Sequence, residues 1–450
     1  MSPATRARWM FRTGCVLLAA FAALSVFVYF NRDSAFEDPE EVARLQRSEE
    51  LGKTTRTTAG AFDWPQWRGP NRDGHSAQTG LNLDWNSDGE PPIRWRIPIG
   101  DGFGSIAVAQ GRVYTMFQDG SQEVIGCFDA ETGNERWRHA YEARFKDEFG
   151  SGPRSTPTVD GDLVFAVGAT GVLHCLNAAT GKVQWMKSLA DEFGAGVPKW
   201  GFSFSPLVVG DLLLINPGVA GAALAALDRA TGAVRWKAFD VGGGYSSPIL
   251  ARLGGTRQAL FFTAYGLISI VPETGAEVWR QRWKTDYDAN ITTPIVFDDY
   301  VFISSGYNAG CALLRIEKKD DGFHVNVVYK HTRFSNRFST SVFHRGYIYG
   351  FKDALLLCLD VRDSKGKAKW DERGFDYGTL LAVEDHLIIY GENGLLGVAA
   401  ATPTGYLEKG RMRIFDRPLT WRARGVLAID RVHHRHAPPQ RLRPGRARKV

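Results

Sequence analysis

The chain has 450 residues, 44% hydrophobic, 12% aromatic and 23% charged, enough apolar surface to bury a sizeable core and too little charge bias for a disordered chain. Its net charge of +6 is unevenly spread: from Arg411 to Val450 twelve Arg and Lys face only Asp416 and Asp430, which leaves residues 1–410 at −4. A mildly acidic body argues against a nucleic-acid footprint on it.

At the N-terminus, Arg6, Arg8 and Arg12 precede an uncharged stretch from Thr13 to Phe30, and Arg32 and then Asp33, Glu37, Asp38, Glu40 and Glu41 follow. About eighteen apolar residues is the minimum that spans a bilayer, and the basic flank belongs on the cytoplasmic side. A cleaved signal peptide is the competing reading. It calls for a small-x-small triplet after the apolar run, which here ends Val26-Phe-Val-Tyr-Phe30. The spacing therefore predicts a cytoplasmic basic segment at 1–12, an uncleaved transmembrane signal anchor at 13–30 and a charged, Thr-rich linker at 31–62. Cys15 precedes the apolar run and is no lipoprotein cysteine.

From residue 63 the chain repeats itself. Asp129-Ala-Glu-Thr-Gly-Asn-Glu-Arg-Trp137 returns as Asn177-Ala-Ala-Thr-Gly-Lys-Val-Gln-Trp185 and Asp228-Arg-Ala-Thr-Gly-Ala-Val-Arg-Trp236. A fourth copy, ending at Trp279, has Val271 where the Asp should be, and a looser one, Asp360 to Trp370, carries a two-residue insertion. The leading Asp or Asn can bond its own backbone amides and the Gly accepts positive φ, the chemistry of a hairpin turn. Alternating apolar residues before each turn (Val124-Ile-Gly-Cys-Phe128, Val172-Leu-His-Cys-Leu176) read as a half-buried strand. Upstream, stretches such as Ser155-Thr-Pro-Thr-Val-Asp-Gly-Asp-Leu-Val164 read as strand, tight turn, strand. Together with a last strand ending at the Trp they make a four-stranded unit.

The closing aromatics Trp95, Trp137, Trp185, Trp236, Trp279, Tyr329, Trp370 and Phe415 are 41 to 51 residues apart. That period predicts an all-β, eight-bladed β-propeller of four-stranded antiparallel blades over 63–436, its last blade possibly incomplete. Cys127, Cys175 and Cys358 share one strand position in three blades, too far apart to bridge, and read as small buried hydrophobes. Cys311 has no obvious partner. His174, His324 and His344 read as strand residues, and no cysteine or histidine spacing suggests a metal site. The tail, 437–450, has no strand pattern and is expected to be disordered; a basic arm and an altered reading frame both account for it.

These residues carry a family resemblance. Ala226-Leu-Asp-Arg-Ala-Thr-Gly-Ala-Val-Arg-Trp236 resembles the tryptophan-docking motif of the pyrroloquinoline-quinone-like propeller repeats, and Asp63-Trp-Pro-Gln-Trp-Arg-Gly-Pro-Asn-Arg-Asp-Gly74 resembles the opening of bacterial envelope members. The resemblance implies that Trp137, Trp185, Trp236, Trp279 and Trp370 are structural docking residues between blades. The anchor at 13–30 predicts an inner-membrane, single-pass protein with its propeller in the periplasm, and the resemblance implies a scaffold like the propeller subunit of the outer-membrane protein assembly machinery.

The family mixes dehydrogenases with non-catalytic scaffolds. A dehydrogenase of this kind is expected to hold pyrroloquinoline quinone between a Trp and a disulfide of adjacent cysteines, over calcium. This chain has no Cys-Cys pair, so the expected function is a membrane-anchored, non-catalytic binding or scaffold module for an envelope protein, with no cofactor or metal. The quinone-dependent dehydrogenase is the alternative. The expected binding surface is the channel mouth where each innermost strand begins, with Arg154, Trp200, Phe202, Tyr245, Asn290, Asn336, Arg337 and Tyr377 as candidates.

Overall fold

The computed structural model describes residues 40, 41, 43, 44, 63–415 and 425–429. The signal anchor at 13–30 and the basic tail at 437–450 lie outside the described residues. Among those described, no helix is long and apolar enough to cross a membrane.

The repeated turn closes through its first side chain. Asp129 Oδ1 accepts from the amides of Glu131 (3.1 Å) and Thr132 (2.9 Å) and from the Thr132 hydroxyl (3.0 Å), while Gly133, at φ 73°, returns its N–H to Asp129 O. Asn177 and Asp228 make the same three contacts. At Val271 no carboxylate is present, yet the main-chain bond from Gly275 to Val271 O (2.9 Å) survives. The backbone path is therefore the requirement, and the Asx contacts reinforce it. Past each turn the pairing slips by one residue, and the Trp sits just beyond the bulge, opposite the strand position of Cys127, Cys175, Ala226, Ser269 and Cys358. The last strand does not end at the Trp, as the sequence reading had it, but begins there: Trp137 is the third residue of Glu135–Glu142.

The fold is all-β and propeller-like, with few helices. The first blade runs Ala107–Ala109, Arg112–Asp119, Gln122–Asp129, Glu135–Glu142, paired in that order. Six more follow, with innermost strands Thr158–Asp160, Leu207–Val209, Ile249–Leu253, Ile295–Phe297, Val342–His344 and Gly378–Val383. Seven sheets thus have four strands or, in the last, five. A separate two-stranded sheet joins Ile93–Pro98 to Gly425–Ile429, with the same bulge beside Trp95. Apolar clusters are shared between consecutive blades, so the core lies between the sheets and not within one.

Each docking indole spans that gap. Trp137 Nε1 donates to Ala178 O, Trp185 to Arg229 O, Trp236 to Pro272 O and Trp370 to Thr402 O, all in the next blade, at 2.7–3.0 Å. For Trp137, Trp185 and Trp236 the Gly of the next turn lies close against the ring: a Cβ on Gly181 or Gly275 would meet Trp137 or Trp236 at 2.6 Å. Trp279 departs from this. The fifth blade replaces the short turn with ten-residue strands, Gly310–Lys319 and Gly322–His331, and Trp279 donates instead to Gln258 of its own blade. Phe415 is a second correction. In the seventh blade the register places Gly410, not Phe415, at the closing position, and Trp85 from the short helix Trp85–Asp88 fills the space, 2.4 Å from where a Cβ would stand.

The axis is filled by the chain itself. Residues 63–76 pass through the ring and bond the innermost strand, or the residues leading into it, in all seven blades. Trp64 exchanges main-chain bonds with Val108, and Val159 donates to Pro65 O. Arg72 reaches Thr158 Oγ1 and the carbonyls of Ser205, Pro206 and Pro248; Trp67 Nε1 reaches Thr293 Oγ1; Arg68 reaches the carbonyls of Thr340 and Ser341. His75–Ser76 then pairs in parallel with Ala382 and Val383 of the seventh blade. Asp63 faces the Gln110 amide and Gly80 donates to Glu384, and both partners sit in turns that follow innermost strands. The plug therefore rises from the face opposite the strand starts, and that other face forms the mouth.

Candidate functional site: the channel mouth

At the mouth, the segments leading into the innermost strands converge. Trp200, before the third blade's innermost strand, is the hub. Its ring lies 5.2 Å from Tyr245, 6.1 Å from Tyr287, 6.5 Å from Tyr307 and 6.2 Å from Phe149 (centroid distances), and its Nε1 donates to Glu148 Oε1 at 2.9 Å. Phe149 in turn meets Phe338 edge-on at 5.8 Å, a contact that joins the second and sixth blades across the ring. Arg337 lies over Tyr307 (5.3 Å) and Phe338 (4.8 Å), and its Nη1 reaches the Tyr377 hydroxyl at 3.5 Å. The surface is aromatic, edged by both signs of charge.

Four of the eight candidates read from sequence belong to this surface: Trp200, Tyr245, Arg337 and Tyr377. The other four are placed inside the protein. Asn290 is fully buried, its Nδ2 donating to Thr263 O and Trp283 O. Asn336 is buried, its Nδ2 held by Phe351 O and its Oδ1 by Ser341. Phe202 packs beside Phe204 and against Gly171. Arg154, with its side chain 9% exposed, is consumed locally by Asp147 (2.7 Å) and two carbonyls, and stacks on Phe103 and Phe145. In each case a loop residue is spent on contacts inside the protein.

The electrostatics follow from these contacts. The Trp200 indole, and then Lys199 at 3.2 Å, hold the exposed Glu148 carboxyl down to about 2. Burial pushes the Tyr245 hydroxyl up to about 12. At the rim, burial and then Asp376 raise Glu392 to about 7.

Residues 120–372, more than half the chain, match the family described as outer membrane protein assembly factor BamB. The chain belongs to this PQQ-type propeller family. Quinohemoprotein alcohol dehydrogenase from Comamonas testosteroni superposes with a TM-score of 0.58 at 15% identity, over 83% of this chain and 76% of that one. The enzyme of the same name from Pseudomonas putida HK5 gives 0.55 at 12%, over 85% and 75%. BamB from Moraxella catarrhalis gives 0.48 at 18%, over 72% and 91%. At these identities the likeness is one of fold. A comparison with curated proteins finds no match.

The quinone arrangement that the family resemblance implies meets a poor fit in these residues. No two cysteines are adjacent, and the four described ones are buried and unbridged. Among the described residues no three His, Cys, Asp or Glu side chains are grouped to hold a metal ion. Two carboxylates at the mouth, Asp147 and Glu148, are taken by Arg154, and by Trp200 and Lys199.

Sequence reasoning missed Lys199, Tyr287, Tyr307, Phe149 and Phe338. Each stands in a loop with no repeat position, and what unites them is distance across the ring. Tyr287 and Tyr307 carried one weak signal, a neighbouring Asp or Asn (Asp288, Asn308) of the kind that tolerates left-handed backbone.

Proposed function

We propose that the protein is a membrane-anchored, extracytoplasmic eight-bladed propeller that acts as a non-catalytic binding or scaffold module for an envelope partner through its channel mouth. The observation that carries this reading is the channel itself, filled by residues 63–76 and roofed by aromatic side chains from loops of several blades. Half-buried rings, an exposed Tyr287 and an arginine on converging loops suit a recognition surface. The eighth blade is read from the two-stranded sheet of Ile93–Pro98 and Gly425–Ile429, which repeats the bulged register of the other blades' outer strands.

Orientation supports the same reading. Arg44 lies 3.3 Å from Asp298, and the Tyr300 hydroxyl bonds Glu41, beside the turn that follows the fifth blade's innermost strand. Glu41, Arg44 and the plug thus all meet the face opposite the mouth. An anchor at 13–30 would then leave the mouth pointing away from the inner membrane, towards periplasmic partners.

The test is capture from envelope membranes by tagged protein. Wild type should retain a partner that Arg337→Glu and Trp200→Ala lose with the fold intact by circular dichroism. The alternative is a quinone-dependent dehydrogenase. Dye-linked alcohol oxidation restored by pyrroloquinoline quinone and calcium would overturn the scaffold reading in its favour.

A further inference from the structure

Within the mouth, three rings form a box. Trp200 and Tyr307 are almost parallel, with 4° between their planes and 6.5 Å between centroids. Tyr287 stands across both, at 65° and 6.1 Å to Trp200 and at 66° and 5.9 Å to Tyr307. Tyr245 closes on Trp200 from a fourth direction at 5.2 Å. The rings come from the lead-ins to the third, fourth and fifth blades and from a loop within the fifth, so no single local packing need explains their meeting.

Two further observations point to a ligand. The first is strain. Tyr287 and Tyr307 are both held at positive φ, 61° and 54°, as are their neighbours Asp288 and Asn308. Such backbone costs on the order of 1–3 kcal/mol per residue and gathers at ligand sites. Tyr287 gains no burial in exchange, being 67% exposed. The second is the present occupant. The Lys199 ammonium lies 4.9 Å from the Trp200 ring centre and 5.3 Å from that of Tyr287, and Glu148 sits beside it at 3.2 Å. Two of the three rings thus already face a cation of their own chain, and the third, Tyr307, faces Arg337 at 5.3 Å.

We infer that Trp200, Tyr287 and Tyr307, with Tyr245 behind them, form an aromatic cage for a quaternary ammonium group, and that Lys199 is an internal placeholder which such a ligand displaces. This rests on the reading of the mouth as a binding surface and adds its ligand class. Ring faces attract cations but offer no hydrogen-bond acceptors, so they favour a weakly hydrated alkylated ammonium over the strongly hydrated ammonium of lysine. Glu148 supplies the compensating charge. A choline-type headgroup has this chemistry, whether borne by a lipid or free.

Isothermal titration of the purified full chain with tetramethylammonium chloride, against sodium chloride as the ionic control, tests the inference. Wild type should bind saturably. Tyr287→Ala, at an exposed ring whose loss leaves the melt unchanged, should weaken binding by about tenfold, the order expected for one cage wall. Trp200→Ala should do at least as much, and Lys199→Ala should tighten binding by vacating the cage. Tighter binding of glycerophosphocholine than of choline would assign the lipid source, and tighter binding of choline the free one. Flat titrations for both wild type and Lys199→Ala would overturn the cage. If Trp200→Ala still lost partner capture in that case, the binding-surface reading would stand without it.

Discussion

At the scale of single residues, the Thr-Gly of each turn serves the tryptophan of the blade before it. Gly232 combines a φ of 73° with direct contact between its Cα and the Trp185 ring, where a Cβ would stand 2.8 Å away. Gly232→Ala should therefore lose about 1–2 kcal/mol to left-handed backbone and a further ~1–3 kcal/mol to overpacking. The partner experiment is Trp236→Ala, which removes a half-buried indole and its bond to Pro272 O and should cost up to about 3–5 kcal/mol, the figure for a fully buried Trp. Denaturant melts of both variants check this, and a Trp236→Ala midpoint equal to wild type would refute the docking role. The three equivalent cysteines, each opposite a docking Trp, are explained by the same geometry: a small apolar side chain is what the indole leaves room for.

At the scale of elements, the decisive one is the axial plug. Its two arginines are buried, and burial pulls Arg72 down to about 9 and Arg68 to about 10, so both remain charged at neutral pH. Arg72 is held by three carbonyls and a hydroxyl from the second, third and fourth blades, with Gln66 orienting its Nε at 2.9 Å. Arg72→Leu would take that donor from the carbonyls of Ser205 and Pro248, at about 1–3 kcal/mol each, while Pro206 O keeps the Thr158 hydroxyl. The expected result is a loss of about 2 kcal/mol or more by these figures, accompanied by faster proteolysis across several blades. Cleavage confined to residues 63–78 would instead show that the plug is dispensable to the ring.

At the scale of the whole molecule, histidines lie throughout the ring, and burial holds six of them below their ordinary value. His174, enclosed by His139 and Tyr141 with neither ring nitrogen bonded, is held to about 3; His75, His139, His331, His344 and His386 are also lowered. The unfolded chain takes up these protons near 6.5 while the folded one does not. Their contribution is thus complete above that pH and is lost as pH falls, by about 1.4 kcal/mol per unit for His174 down to its folded value. Glu123, raised by burial beside Tyr141, acts in the opposite sense. Urea midpoints between pH 7.5 and 4.5 should fall less steeply in His174→Leu than in wild type, and parallel slopes would show that His174 takes no part.

The blades were legible because their cause is local. An Asx turn, a glycine and a tryptophan act within nine residues, and the period between copies counts the sheets. Phe415 was misread for the complementary reason, and Trp279, though packed between the fourth and fifth blades, lacks the bond across them. A docking partner depends on the next blade's turn, which the fifth blade lacks, and a closing position can be filled from Trp85, more than 300 residues upstream of Gly410. The segment from Asp63 to Gly74 was recognisable as a motif but not as a plug, because its partners are carbonyls that any residue carries. The mouth was half legible: an aromatic in a loop is visible in a sequence, but whether it roofs a channel or anchors a loop depends on what stands across the ring. Local chemistry thus determined the repeat and the family. The filled axis and the cage were decided by ring closure, which brings together residues that have no periodic relation along the chain.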